Sequence, residues 1–435
     1  MSTKSSRWIS PVYSLGLSLG LTLYVPRALF AWARGDESLR QRIGKEISPV
    51  QRGQGPVVWV HAVSFGETKA VCPLLEEFER RYPEAQFVFS TVTQTGYAEG
   101  IRSLPQAARH LYLPLDFRTT MRKAIQSVQP DLVLITETDY WYHFLRESKA
   151  AGAQVVVVNG KVSERSARRY CRVPWLAQEI FGQVDHFCVQ SDLYRQRFLD
   201  LGMNPQQLTV TGNIKFDASS KKMSLANKEQ LQKRLGVETK EITLVAGSTH
   251  DPEEELFVRT WQLLKSKGYR VRLILVPRHP QRFDEVARLL KQQRVAFWRY
   301  TQGGNCPPEV DCVLIDAMGL LRECYQVADL AIVAGSFTPK VGGHNLLEPC
   351  FYSVPVVFGP HMHSQPELTT LVLQAGAGCQ TSCAELANTL LDLCANPERG
   401  KTIGKAGYAL IQKNVGAIGR TLSAIESHLP TTYHS

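Results

Sequence analysis

Several signatures are missing from this 435-residue chain. No strand-like run is followed by G-x-G-x-x-G, so the dinucleotide-binding fingerprint is absent. No G-x-x-x-x-G-K-[ST] occurs, which removes the P-loop nucleotidases. No Asp-x-Asp stands at a strand end to hold a metal against a diphosphate. The ten cysteines are scattered, often inside apolar runs (Cys188, Cys312, Cys394), and none belongs to a C-x-x-C pair. Cys379 and Cys383 alone make no zinc site. This usage reads as reduced thiols in a cytosolic body. One long stretch, Trp8 to Val25, lacks charge altogether.

What is present is ordinary in bulk and uneven in detail. Apolar residues make up 44% and charged residues 21% of a chain too long for one core, which suits two domains and an appendage. The formal charge is +10, and residues 1–52 carry eight Lys or Arg against three Asp or Glu, half of the excess. Such asymmetry points to an acidic surface. A nucleic-acid binder would need Lys and Arg clustered with aromatics across a whole domain. Here the excess sits beside an uncharged apolar run, which favours a membrane and no nucleic acid. That run is just long enough to cross a bilayer, which takes roughly 17–25 residues. Trp8, Tyr13, Tyr24 and Trp32 suit the interfaces, and the Arg and Lys that follow place the large body in the cytoplasm. Residues 1–33 are therefore expected to form an N-terminal membrane anchor, either a single span or an interfacial helix. The competing reading is a helix docked on the body.

Beyond the anchor, apolar runs alternate with helical spacing. Pro56–Val63, Gln86–Val92, His110–Leu115, Asp131–Thr136, Gln154–Val158 and His186–Val189 read as strands of a first domain, residues 50–217. Ser219–Leu225 reads as a linker. Ile242–Ala246, Val271–Val276, Cys312–Ile315 and Leu330–Val333 restart the pattern in a second domain, residues 225–420, whose C-terminal helices suit packing back on the first. Such alternation predicts an α/β fold with parallel sheets, and ligands then bind beyond the carboxyl ends of the strands. Two similar halves facing each other describe the two-domain glycosyltransferase (GT-B) architecture.

The polar residues at those strand ends are the candidates. Glu67 follows a glycine turn at a helix start, where a carboxylate can accept a proton or simply complement the helix dipole. Such a dipole is expected to keep it ionised at neutral pH. Glu137 and Asp139 form a second carboxylate pair without histidine company. Arg165, Arg168, Arg169 and Arg172 recur at helical spacing ahead of Trp175 and make one basic face, suited to phosphate or to solvent. In the second half, Gly342-Gly343-His344-Asn345-Leu346-Leu347-Glu348-Pro349 joins a strand to a helix start. Its glycines admit a close ligand, Asn345 is a good cap, and the N–H groups of Leu346 and Leu347 are expected to face an anion. Arg278, at another strand end, is placed as a counter-ion for a phosphate.

Six motifs occur together and in order: His61-Ala-Val-Ser-Phe-Gly-Glu67, Ile135-Thr-Glu-Thr-Asp-Tyr-Trp141, Thr211-Gly-Asn-Ile-Lys-Phe-Asp217, Pro277-Arg-His-Pro280, Asp316-Ala-Met-Gly319 and Gly342 to Pro349. Over nearly its whole length the chain resembles the Kdo transferases, which add 3-deoxy-D-manno-octulosonic acid (Kdo) from CMP-Kdo to the lipid A precursor. The resemblance implies two Rossmann-like domains of GT-B type. It implies Glu67 as catalytic proton acceptor, and Glu137 and Lys215 as transition-state stabilisers. It implies Arg278, His279, Met318, Gly319, Leu320, Asn345, Leu346, Leu347 and Glu348 as CMP contacts. The acceptor would be lipid IVA at the inner membrane, with the arginine face on its side. The reaction would be inverting and metal-independent, with no cofactor and no obligate protein partner. Two departures from the family pattern, Tyr142 in place of a proline and Leu320 where some members carry Glu, bear on the acceptor. A two-domain transferase using a UDP-sugar with another membrane acceptor is the alternative.

Overall fold

A computed structural model describes residues 6–22, 41–44, 47, 49–217 and 222–430. The chain divides into two compact units, residues 1–218 with 414–435, and residues 219–413.

The first unit is built on a seven-stranded sheet: β1 (Val57–His61), β2 (Gln86–Thr91), β3 (Arg109–Tyr112), β4 (Leu132–Thr136), β5 (Gln154–Gly160), β6 (His186–Val189) and β7 (Leu208–Val210). Their order is β3-β2-β1-β4-β5-β6-β7, and every pairing is parallel. Helices cover both faces, so the inner strands are apolar without alternation. Along β1, Val58 and Val60 pack with Val71, Leu74 and Phe78, while Val57 and Trp59 pack on the opposite face with Met121, Ile125 and Phe144.

The second unit repeats the scheme with β8 (Ile242–Thr249), β9 (Val271–Pro277), β10 (Trp298–Arg299), β11 (Cys312–Leu314), β12 (Leu330–Val333), β13 (Val356–Phe358) and β14 (Gly378–Gln380). The order is β10-β11-β9-β8-β12-β13-β14, again parallel. The edge strands β7, β10 and β14 are only two or three residues long, too short to leave a periodic signal. Both sheets reverse direction of growth once, between β1 and β4 and between β8 and β12. At such a switch point the loops leaving adjacent strands part and open a crevice at the carboxyl edge.

The helix Ala417–Glu426 belongs to the first unit, where Leu422 and Ile425 are buried beside Leu74 and Phe78. Asp217 fixes its start: one carboxylate oxygen accepts from Gly416 N–H at 2.6 Å and the other from Ile418 N–H.

The N-terminal segment departs from the expected span. Residues 6–22 form one helix of 17 residues, Ser6–Thr22, and no helix among the described residues is long and apolar enough to cross a membrane. Residues 1–5 and 23–33 of the expected anchor lie outside the described residues. The helix lies on the first unit. Ile9 enters the core, Tyr13 donates to Asp116 at 2.8 Å, and Ser14 hydrogen-bonds His143 Nε2 at 3.1 Å. A lone polar pair of this kind would be orphaned in hydrocarbon, and here each has a partner on the body. The opposite face bears Val12, Leu15 and Leu19, 59%, 63% and 62% exposed.

Replacing Asp217 by Ala removes a carboxylate cap from two backbone donors. The expected loss is about 1–2 kcal/mol, read as a lower urea midpoint for the first unit. An unchanged midpoint would show that apolar packing alone seats the C-terminal helix.

Candidate functional site

At the first switch point the loop after β1 runs directly into the helix Phe65–Arg81. Ser64 caps that helix, its Oγ accepting from Glu67 N–H at 3.4 Å. Glu67 reaches back, and its Oε2 accepts from Val63 N–H at 2.8 Å. This is a capping box shifted by one residue, and it pins the carboxylate over the strand end.

Across the switch point, Glu137 ends β4 in a left-handed conformation, φ +63°, and is only 3% exposed. Holding a non-glycine residue there costs on the order of 1–3 kcal/mol, so the surroundings must fix it. They do so with three donors. Lys161 Nζ lies 2.6 Å from Oε2, Lys215 Nζ 2.9 Å from Oε1, and Asn159 Nδ2 donates to Oε1 at 3.1 Å. Asn159 also has positive φ, +54°, and its Oδ1 accepts from Ile214 N–H at 3.1 Å. Asn213 Oδ1 then accepts from Lys215 N–H at 3.0 Å. The ends of β4 and β5 and the loop after β7 are thus fastened to one carboxylate.

The two glutamates are driven apart in acidity. Burial pushes the Glu137 carboxyl up, but Lys215 and Lys161 overwhelm it and hold the group at about 2. Burial pushes Glu67 up to about 7, the Glu137 charge adds to it, and the Val63 N–H only partly opposes. This corrects the expectation that the helix dipole keeps Glu67 ionised at neutral pH: near pH 7 it is poised between forms. Lys161 and Asn159, which the sequence marks only as polar residues at a strand end, are functional neighbours of Glu137. Their only signal was their place after β5, the strand next to β4. At Asp139, two residues on, burial raises the carboxyl and Trp141 partly opposes.

The four arginines lie on and just beyond the helix Glu164–Cys171, and with Glu164 they line a surface hollow of about 610 Å³. Arg168 is paired with Glu164. Arg165, Arg169 and Arg172 are exposed and form no ion pair among the described residues. Trp175 stands exposed beside them.

In the second unit, Arg278 follows β9, with its N–H on Thr249 O at 3.1 Å. His279 is exposed next to it and meets His250 edge-on at 5.3 Å. Met318 and Gly319 are exposed after β11, Gly319 at φ +92°. Leu320 starts the helix Leu321–Gln326. Arg322 on that helix lies 3.5 Å from Glu348, which ties this loop to the one after β12. The side chains of Leu346 and Leu347 are fully buried, leaving only their backbone available to a ligand. Asn345 Oδ1 accepts from Leu347 N–H at 3.0 Å. That differs from the expected free donor at Leu347, because the Asn345 side chain occupies it. The helix that follows, Leu347–Cys350, has four residues, too few for a strong dipole.

Comparison with known proteins comes to the same place. A family model described as 3-Deoxy-D-manno-octulosonic-acid transferase (kdotransferase) matches residues 37–218. The chain is 30% identical over 428 residues to the 3-deoxy-D-manno-octulosonic acid transferase of Chlamydia trachomatis serovar A, covering 97% of this chain and 98% of that one. It is 32% identical over 423 residues to the protein of the same description from Chlamydia pneumoniae, covering 96% of each. Among solved structures, a putative UDP-N-acetylglucosamine 2-epimerase from Listeria monocytogenes superposes with a TM-score of 0.58 at 16% identity, covering 86% of this chain and 96% of that one. At that identity the likeness shows the GT-B-like fold alone.

The raised Glu67 carboxyl has a stability cost of definite sign. The folded protein keeps a proton that a glutamate at its ordinary 4.5 has released, so stability falls as pH rises from 4.5 to about 7 and stays lower above. Glu67→Gln is expected to raise stability at pH 8 by on the order of 1 kcal/mol, seen as a higher melting temperature, and to change it little at pH 4. Differential scanning fluorimetry at both pH values checks this; an equal shift at both would contradict it.

Proposed function

The chain belongs to the 3-deoxy-D-manno-octulosonic-acid transferase family and is a glycosyltransferase, and from that premise we propose that it moves Kdo from CMP-Kdo onto a lipid A precursor, lipid IVA, by a single inverting displacement without a metal. The observation that supports the mechanism is the split between two neighbouring carboxylates, one poised near neutrality and one locked in its ionised form.

Glu67 is the general base. It takes the proton from the acceptor hydroxyl as the oxygen attacks the anomeric carbon of Kdo; the bond to the CMP phosphate breaks and CMP departs as the anion. Positive charge develops at the anomeric carbon, and the Glu137 carboxylate stabilises it. Lys215 and Lys161 keep that carboxylate charged and balance the anionic groups of the donor. CMP is held by the second unit. Arg278 and His279 take the phosphate, and the loops Met318–Leu320 and Asn345–Glu348 take the nucleoside. One diester phosphate carries a single charge, so a guanidinium and backbone donors suffice where a diphosphate calls for a metal.

The acceptor's phosphates suit Arg165, Arg169 and Arg172, whose guanidinium groups are exposed and form no ion pair among the described residues. The helix Ser6–Thr22 suits an interfacial anchor on the cytoplasmic face of the inner membrane. Its outward residues Val12, Leu15 and Leu19 share one helical stripe, which can sit in the headgroup region while Ile9 and Tyr13 hold the body.

Mass spectrometry of the product made from purified protein, CMP-Kdo and lipid IVA tests the reaction; absence of a Kdo adduct would sink it. Glu67→Gln is expected to lower turnover by roughly 10²–10⁴-fold with CMP affinity intact. The wild-type rate should fall about tenfold per pH unit below pH 7, as the base is lost by protonation, and that limb should vanish in the variant. Arg278→Ala should weaken CMP binding, with a loss that shrinks at high salt. Calorimetry showing unchanged affinity would remove Arg278 from the donor site.

A further inference from the structure

Two histidines that the reading above does not use face each other across the second switch point. His250 follows β8, and His344 lies in the glycine-rich loop after β12. Their Nε2 atoms are 2.8 Å apart, with ring planes inclined by 11° and centroids 5.1 Å apart. The centroid separation equals the N–N distance plus a ring radius on each side. The rings therefore meet edge to edge, along an in-plane lone pair. Two imidazole nitrogens at this distance need one proton between them: one Nε2 donates and the other accepts.

The arrangement is built. One buried carboxylate, Glu253, accepts from His250 N–H at 3.1 Å, Gly335 N–H at 2.8 Å and Phe337 N–H at 2.9 Å, so it fixes both loops that carry the pair. Gly343 N–H closes its loop onto Gly335 O at 2.8 Å. Gly335 has φ +70°, and a Cβ there would stand 2.8 Å from the His344 ring, so only glycine leaves the ring its place. No group of three or more His, Cys, Asp or Glu among the described residues has the geometry to hold a metal ion, so the cluster is not read as a metal site.

The charges around the pair are cationic. The Arg278 and Arg282 guanidinium groups face it, with the His279 imidazole beside them. Glu254 is engaged by Thr249 and Arg282, and Glu253 by the three backbone donors. Burial first, and then the neighbouring imidazoles and Arg278, with Arg282 at His250 only, keep His250 at about 4 and His344 at about 3, so the pair is neutral. An anion beside Arg278 offsets that guanidinium's share and itself favours the cationic form of a nearby imidazole. The ring that donates through Nε2 has an Nδ1 lone pair to spare, and neither Nδ1 has a hydrogen-bond partner among the described residues.

We propose that the His250–His344 pair takes up one proton from solvent when the nucleotide phosphate docks beside Arg278. The proton adds to Nδ1 of the donating ring. The shared N–H···N bond persists and becomes charge-assisted, and the new N–H serves the phosphate. The pair is thus a proton-coupled anion receiver in the donor unit. This rests on the assignment of the CMP site to that unit.

Isothermal titration calorimetry of the full chain with CMP at pH 6.5, in two buffers of different ionisation enthalpy, counts the protons bound. The titration of CMP's own phosphate is common to all proteins compared and cancels in the difference. Wild type is expected to take up more protons than His250→Gln or His344→Gln, by a difference approaching one. On the wild-type protein, ring-labelled histidine NMR should show one imidazole passing from neutral to cationic as CMP is added, which holds even if a variant folds poorly. CMP binding with equal proton counts in wild type and variants, and no change in the rings, would overturn the proposal and leave the donor site standing. No CMP binding by the wild type would overturn both.

Discussion

The first unit depends on one buried ion cluster, the Glu137 carboxylate with Lys161 and Lys215. Burying a carboxylate is costly, and one partner seldom offsets it; two lysines and an asparagine amide do so here. The cluster explains three other features. It holds Glu137 and Asn159 in left-handed backbone. It fastens Lys215 and Ile214 to the strand ends. It also sets the Glu137 carboxylate near Glu67, whose charge adds to burial, the larger cause, in keeping a proton on that half-buried carboxyl until about pH 7. A base whose affinity for protons lies near the working pH combines availability with strength.

The two units share a topology and use it differently. Each sheet opens a crevice between the strand where growth reverses and its neighbour. In the first, the crevice is edged by carboxylates and lysines; in the second, by Arg278 and three histidines around Glu253. The fold supplies the place, and the residues at the strand ends supply the chemistry. Only the family match joins these to a reaction, since topology alone serves epimerases and transferases alike.

The inner strands were legible because a strand buried on both faces has to be apolar throughout, as Val57–His61 is up to its last residue. The edge strands β7, β10 and β14, two or three residues long, carry no such pattern. Glu67's position was legible from its glycine turn and helix start, but its acidity was not. That depends first on burial and then on the charge of Glu137, seventy positions away, which only the strand order β1-β4 brings beside it. The same limit applies to Leu347, whose N–H looks free until Asn345 is seen to bond it. The uncharged run Trp8–Val25 reads as a span by hydropathy, which does not register that Tyr13 and Ser14, in its described part, have partners on the body.

The central claim is that two adjacent glutamates are held at opposite ends of the carboxylate range by burial and by two lysines. Carboxyl-labelled glutamate NMR, with Glu67 and Glu137 identified through their Gln variants, measures this directly. Glu67 is expected to titrate near pH 7 and Glu137 to stay ionised down to about 2. A Glu67 resonance that titrates at its ordinary 4.5, with Glu137 beside it doing the same, would contradict the account.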